Sequence, residues 1–146
     1  MKYAAIVASF VVLALTSARA ETQSESIPEA KPKDYDLTIT QTPAAAVAGQ
    51  QARITVTIQP HAPWTLKVAT PFEASFQGTT GVALEKTKLS SKDFLDVKTP
   101  EKAIGVTFTP EQKGEHVISG ELSFFLCTDQ VCQRFKESVQ HKLLVP

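Results

Sequence analysis

The chain has 146 residues, 42% of them hydrophobic, and its 15 basic side chains balance its 15 acidic ones. A formal charge of zero with no basic stripe excludes the electrostatic footprint of a nucleic-acid-binding protein. No block of like charge is long enough to form a polyelectrolyte tail, and the length suits one domain whose core needs no metal to hold it.

Residues 1–20 read as a signal peptide. Lys2 supplies a positive start, Ile6 to Leu15 an apolar run, and Ala18-Arg19-Ala20 a small-x-small cleavage site that makes Glu21 the expected mature N-terminus. The apolar run is too short for a convincing membrane span, and no later one is long enough to cross a bilayer. An uncleaved anchor is the alternative. No cysteine follows the cleavage site, so lipid attachment there is not expected. About 126 residues would remain, and losing Lys2 and Arg19 leaves 13 basic against 15 acidic side chains. The mature chain is expected to be soluble and periplasmic or secreted, in a compartment where a disulfide persists.

Residues 21–34 form a polar, proline-interrupted stretch that reads as a flexible leader. The domain is expected over 35–146. Residues 35–40 form a plausible strand, and 43–49 an alanine-rich turn region. In 52–58 the residues Ile54, Val56 and Ile58 alternate with Arg53, Thr55 and Thr57, the period of a half-buried antiparallel strand. Proline and glycine punctuate 60–81, leaving 64–69 and 72–76 as short strand candidates and 82–89 as another. Residues 90–100 read as loop, or one short helical turn after Ser90. Residues 104–109 alternate again, 110–114 turn, 116–127 give the longest strand signal, and 133–145 pair back. About seven strands with regularly spaced turns and no convincing amphipathic helix predict a single all-β domain, an antiparallel β-sandwich.

Cys127 and Cys132 are the only cysteines, separated by four residues. Strand parity puts Ile118, Gly120, Leu122, Phe124 and Leu126 on one face and Ser119, Glu121, Ser123, Phe125 and Cys127 on the other. After the loop, Phe135, Val139, Leu143 and Val145 point inward, while Cys132, Arg134, Lys136, Ser138 and Gln140 point outward. Both cysteines are thus expected on the polar face of one hairpin, not deeply buried, and able to meet disulfide distances. Phe125 is an aromatic on that polar face, placed to shield the disulfide or to join a docking patch. A six-residue loop contributes roughly 2 kcal/mol by chain entropy, against about 4.7 for a 100-residue loop. A staple between strands already paired therefore adds little, which favours redox use without excluding a structural one. The spacing is not Cys-x-x-Cys, and a hairpin offers no helix dipole to activate a thiol. Such a pair suits exchange with a partner's thiols through a mixed disulfide.

The segment Phe124-Phe125-Leu126-Cys127-Thr128-Asp129-Gln130-Val131-Cys132 resembles the cysteine hairpin of the N-terminal domain of the DsbD family of periplasmic thiol:disulfide interchange proteins, and of related stand-alone disulfide-corrector-type domains. Gly114-Glu115-His116, Gly120 to Phe125 and Pro71-Phe72 also fit that family's pattern. The resemblance implies an immunoglobulin-like fold whose Cys127 and Cys132 are a redox pair passing reducing equivalents between protein partners. The domain would act on a periplasmic thiol or disulfide partner and draw electrons from a separate membrane electron transporter. The alternative is a non-enzymatic exported binding or structural sandwich with an inert local disulfide.

Asp129, inside the cysteine loop, is expected to accept a turn hydrogen bond, or else to relay protons during exchange. Trp64 is expected to anchor an edge by packing. His61, His116 and His141 show no ligand spacing, so neither a metal nor another cofactor is expected. No Gly-x-Ser-x-Gly elbow, Gly-x-Gly-x-x-Gly or phosphate loop is present, which argues against a hydrolase or nucleotide-binding enzyme.

Overall fold

Alternation in the sequence becomes alternation in burial. Ile54, Val56 and Ile58 are buried while the residues between them are exposed or half-buried, and Ile104, Val106 and Phe108 repeat the pattern. The computed structural model describes residues 34–146. The signal peptide expected over 1–20, and all of the expected leader except Asp34, lie outside the described residues.

The strands are β1 (Tyr35–Thr42), β2 (Ala52–Pro60), β3 (Glu73–Gly78), β4 (Val82–Leu84), β5 (Lys88–Ser90), β6 (Lys102–Pro110), β7 (Gly114–Cys127) and β8 (Cys132–Val145). They form two four-stranded antiparallel sheets, ordered β1-β2-β6-β4 and β5-β3-β7-β8. Taking β1, β2, β3, β4, β6, β7 and β8 as strands A to G, these are the ABED and CFG sheets of an immunoglobulin-like sandwich. The short strand β5 is an addition at the edge beside β3. The core lies between the sheets, where β2 and β6 face Ile118, Leu122, Phe124 and Leu126 of β7 and Val139, Leu143 and Val145 of β8.

Two expectations need correction. Residues 64–69 are not a strand. Thr65 alone makes a bridge, to Cys127, and the chain turns on either side, with Trp64 N bonded to His61 O and Thr70 N to Lys67 O. Pro63, two residues before Thr65, lacks the N–H that the next rung of that bridge would require. Residues 82–89 are two strands rather than one. β4 pairs with β6 in the first sheet and β5 with β3 in the second, so the chain crosses between sheets over residues 85–87. The helical turn expected after Ser90 is a single 3-10 turn, Ser91–Asp93. Ser90 accepts from Lys92 N, and Asp93 accepts from Ser90 N, a capping box.

Phe76 and Gly120 are direct partners across β3 and β7. A Cβ at Gly120 would lie 2.3 Å from the Phe76 ring. Only glycine lets that buried ring fill the position, and the contact helps hold β7 against β3.

Candidate functional site

β7 and β8 run in register for their full length, and the last pair of the ladder is Cys127 with Cys132. The two are disulfide-bonded, with Cα atoms 4.0 Å apart. The loop between them is closed by Thr128. Its N–H bonds Val131 O at 2.8 Å, and its hydroxyl oxygen accepts from Gln130 N and Val131 N, each at 3.2 Å. Asp129 is exposed, and the turn acceptor is Thr128. Threonine hydroxyls form such turns more weakly than Asp or Asn side chains, so in the sequence the aspartate is the stronger turn signal of the two.

The two cysteines differ in environment. Cys132 is exposed, as parity predicts. Cys127 is only 2% exposed, against the expectation of a pair not deeply buried. The reason is the chain before β3. Thr65 lies against β7 on the side away from β8, exchanging N–H···O bonds of 2.9 Å with Cys127 in both directions and donating from its hydroxyl to Cys127 O at 3.1 Å. Cys127 is flanked on both sides, whereas among the described residues Cys132 sits on an edge strand with one neighbour.

Trp64, the residue before Thr65, packs against the core as the sequence predicts, and it does so within an aromatic cluster the sequence did not announce. Trp64 meets the Phe135 ring edge-on at 6.1 Å. Phe135 packs against Tyr35 at 5.3 Å and stacks on Phe124 at 5.9 Å, and Tyr35 meets Phe124 at 5.1 Å. These spacings suit favourable aromatic pairs, and they tie β1, β7, β8 and the 61–66 segment together beneath the disulfide. The Tyr35 hydroxyl donates to Glu137. Burial, and then the Glu137 carboxylate, push the Tyr35 pKa above the ordinary tyrosine value. Phe125 is half-buried on the outer face, opposite Arg134. Arg134 is exposed and donates to Ser123 at 2.8 Å.

The histidines lie apart, each with its own partner. His61 meets Asp36 at 2.8 Å, His116 meets Gln112 O at 2.9 Å, and His141 meets Gln41 Oε1 at 2.7 Å. Among the described residues no group of three or more His, Cys, Asp or Glu side chains is placed to hold a metal ion. Nor is any helix among them long and apolar enough to cross a membrane.

No family model and no curated protein matches the chain. Among solved structures it is similar to AggA, the major subunit of aggregative adherence fimbriae type I from Escherichia coli, at 12% identity and a TM-score of 0.35. That match covers 78% of this chain and 97% of the other. The chain is a two-sheet antiparallel β-sandwich with one disulfide at the tip of its β7–β8 hairpin.

Proposed function

We propose that the domain is an exported thiol–disulfide interchange module working through Cys127 and Cys132. The observation that carries this reading is the unequal exposure of a disulfide joining residues already paired in one hairpin. An incoming thiolate can reach the exposed Cys132 sulfur, whereas Cys127 is enclosed. Attack at Cys132 forms a bond between the partner sulfur and Cys132 and breaks the Cys127–Cys132 bond. The electron pair leaves on Cys127, which takes a proton from solvent. A second partner thiolate then attacks its own sulfur in the mixed disulfide and releases Cys132. The partner dithiol ends oxidised and this pair reduced, and the reverse sequence passes the electrons on. The framework suits the cycle because Cys127 is bonded through its backbone to Thr65 and does not depend on the disulfide for its place. The partner is a periplasmic protein thiol, and a separate membrane electron transporter is the source or recipient of the electrons.

The test is the reduction potential of the pair, measured by thiol trapping in defined glutathione or dithiothreitol buffers. A value between about −270 and −120 mV belongs with working oxidoreductases. A value below about −300 mV marks an inert staple and returns the domain to the class of exported binding or structural sandwiches.

A further inference from the structure

The hydrogen-bond parity of the cysteine hairpin says how a partner strand would meet Cys132. The N–H and C=O of Cys127 are both bonded to Thr65, and the bond from Thr128 N to Val131 O is the next rung between β7 and β8. Cys127 and Cys132 are therefore a non-hydrogen-bonded pair. It follows that the N–H and C=O of Cys132, and of Arg134, Lys136 and Ser138 at the same parity, point away from β7. Among the described residues they point at a free edge, because β8 ends its sheet. This edge strand is 14 residues long, where native edges are usually short or covered.

An extended chain pairing antiparallel with that edge would meet Cys132 in a hydrogen-bonded pair. Cα atoms in such a pair are about 5.5 Å apart, inside the usual disulfide range of about 4.4–6.8 Å. Opposed side chains in a sheet emerge on the same face, so a cysteine at that position carries its sulfur beside that of Cys132. The same register puts the residues two and four places before the partner cysteine opposite Arg134 and Lys136. Both are exposed, and the outward row of β8, from Cys132 to Leu144, holds Lys142 as well and no acidic residue. Glu121 of the neighbouring strand stands opposite Ser138, not opposite either of these cations. A second copy of β8 would set basic rows against each other, which is unfavourable for facing like charges.

We propose that the free edge of β8 is the docking site for the thiol-bearing partner. The partner adds as an antiparallel strand, with its cysteine opposite Cys132 and carboxylates two and four residues before it. This deepens, and rests on, the interchange reading above.

The test uses a Cys127→Ser variant whose Cys132 is held as a mixed disulfide with 2-nitro-5-thiobenzoate. Attack by a peptide thiolate on the Cys132 sulfur releases the coloured thiolate, read by absorbance. The peptide Ac-ETETCT-amide is compared with Ac-KTKTCT-amide, each rate divided by that peptide's rate with the free chromophoric disulfide to remove differences in thiol reactivity. The expected normalised rate is at least about threefold higher for the acidic peptide at low salt, from two facing charge pairs, and the advantage shrinks in high salt. N-methylation of the two glutamate amides, which face β8, should abolish it, whereas N-methylation of the two preceding-cysteine threonine amides, which face away, should not. Equal normalised rates for the acidic and basic peptides, or equal effects of the two methylation patterns, overturn the docking proposal. The same peptides are run against the wild-type disulfide with mass-spectrometric detection. Exchange there without the parity pattern sinks the docking mode alone. A wild-type disulfide that resists every thiol, with the pattern intact on the variant, sinks the interchange reading alone.

Discussion

Replacing Gly120 by alanine is expected to loosen the sheet that carries the cysteines. The new Cβ would stand 2.3 and 2.4 Å from two carbons of the Phe76 ring and 3.0 Å from a third, so the ring must retreat by about 1 Å to reach ordinary contact. Phe76 is only 4% exposed, and a rigid ring in a packed core has little room to give. Overpacking of this kind costs about 1–3 kcal/mol, and the severity of the overlap argues for the upper part of that range. Alanine recovers roughly 0.5–1 kcal/mol of backbone entropy relative to glycine in a strand. The net loss should be about 2 kcal/mol. Urea unfolding should show it as a midpoint lowered by roughly 1 M at an unchanged slope, given slopes of about 1–3 kcal/mol/M. Phe76→Leu in the same background should restore part of the loss, with a coupling of about 1 kcal/mol or more in the double-mutant cycle. A Gly120→Ala variant within about 0.5 kcal/mol of the parent, or strictly additive substitutions, would refute the contact argument.

Other outcomes follow from the same structure. A Cys127→Ala/Cys132→Ala double variant should keep its far-UV circular dichroism and lose about 2 kcal/mol, the chain-entropy value for so short a loop; collapse of the fold would show that the disulfide does far more than that. After reduction, Cys132 should alkylate with iodoacetamide well before Cys127, because only Cys132 is exposed; equal labelling of the two in the mass spectrum would contradict the enclosed environment of Cys127. Burial pushes the His141 pKa below its ordinary 6.5. Folding then favours the neutral ring, and the stability linked to it is present above pH 6.5 and lost as pH falls through the lowered folded value. His141→Gln should flatten that acid limb in urea titrations at stepped pH. The raised Tyr35 pKa works in the opposite window: its stabilisation is present below the ordinary value of 10.0 and drains away as pH rises above it. Tyr35→Phe should remove that alkaline dependence.

The legible parts of this chain were those written in local periodicity. Alternation in residues 52–58, 104–109 and 116–127 specified strands and their buried faces, because one side of a half-buried sheet must be apolar residue by residue. The same rule put Cys132, Arg134 and Lys136 outward and Val139, Leu143 and Val145 inward, as the structure has them. It also brought the two cysteines opposite each other. Where periodicity is short or interrupted it fails: residues 82–89 read as one strand because three-residue strands carry no mark of the sheet they join, and 64–69 read as a strand because single apolar positions resemble one.

The all-β sandwich and the cysteine pair at a hairpin tip both follow from side-chain alternation and short-range spacing. The inequality of the two cysteines comes instead from packing between segments distant in the chain. Thr65, 62 residues before Cys127, closes over one and leaves the other on an open edge. Local pattern records which face a side chain takes, but not which distant segment lies beside the strand. Burial, hydrogen-bond parity and access to a sulfur depend on that neighbour.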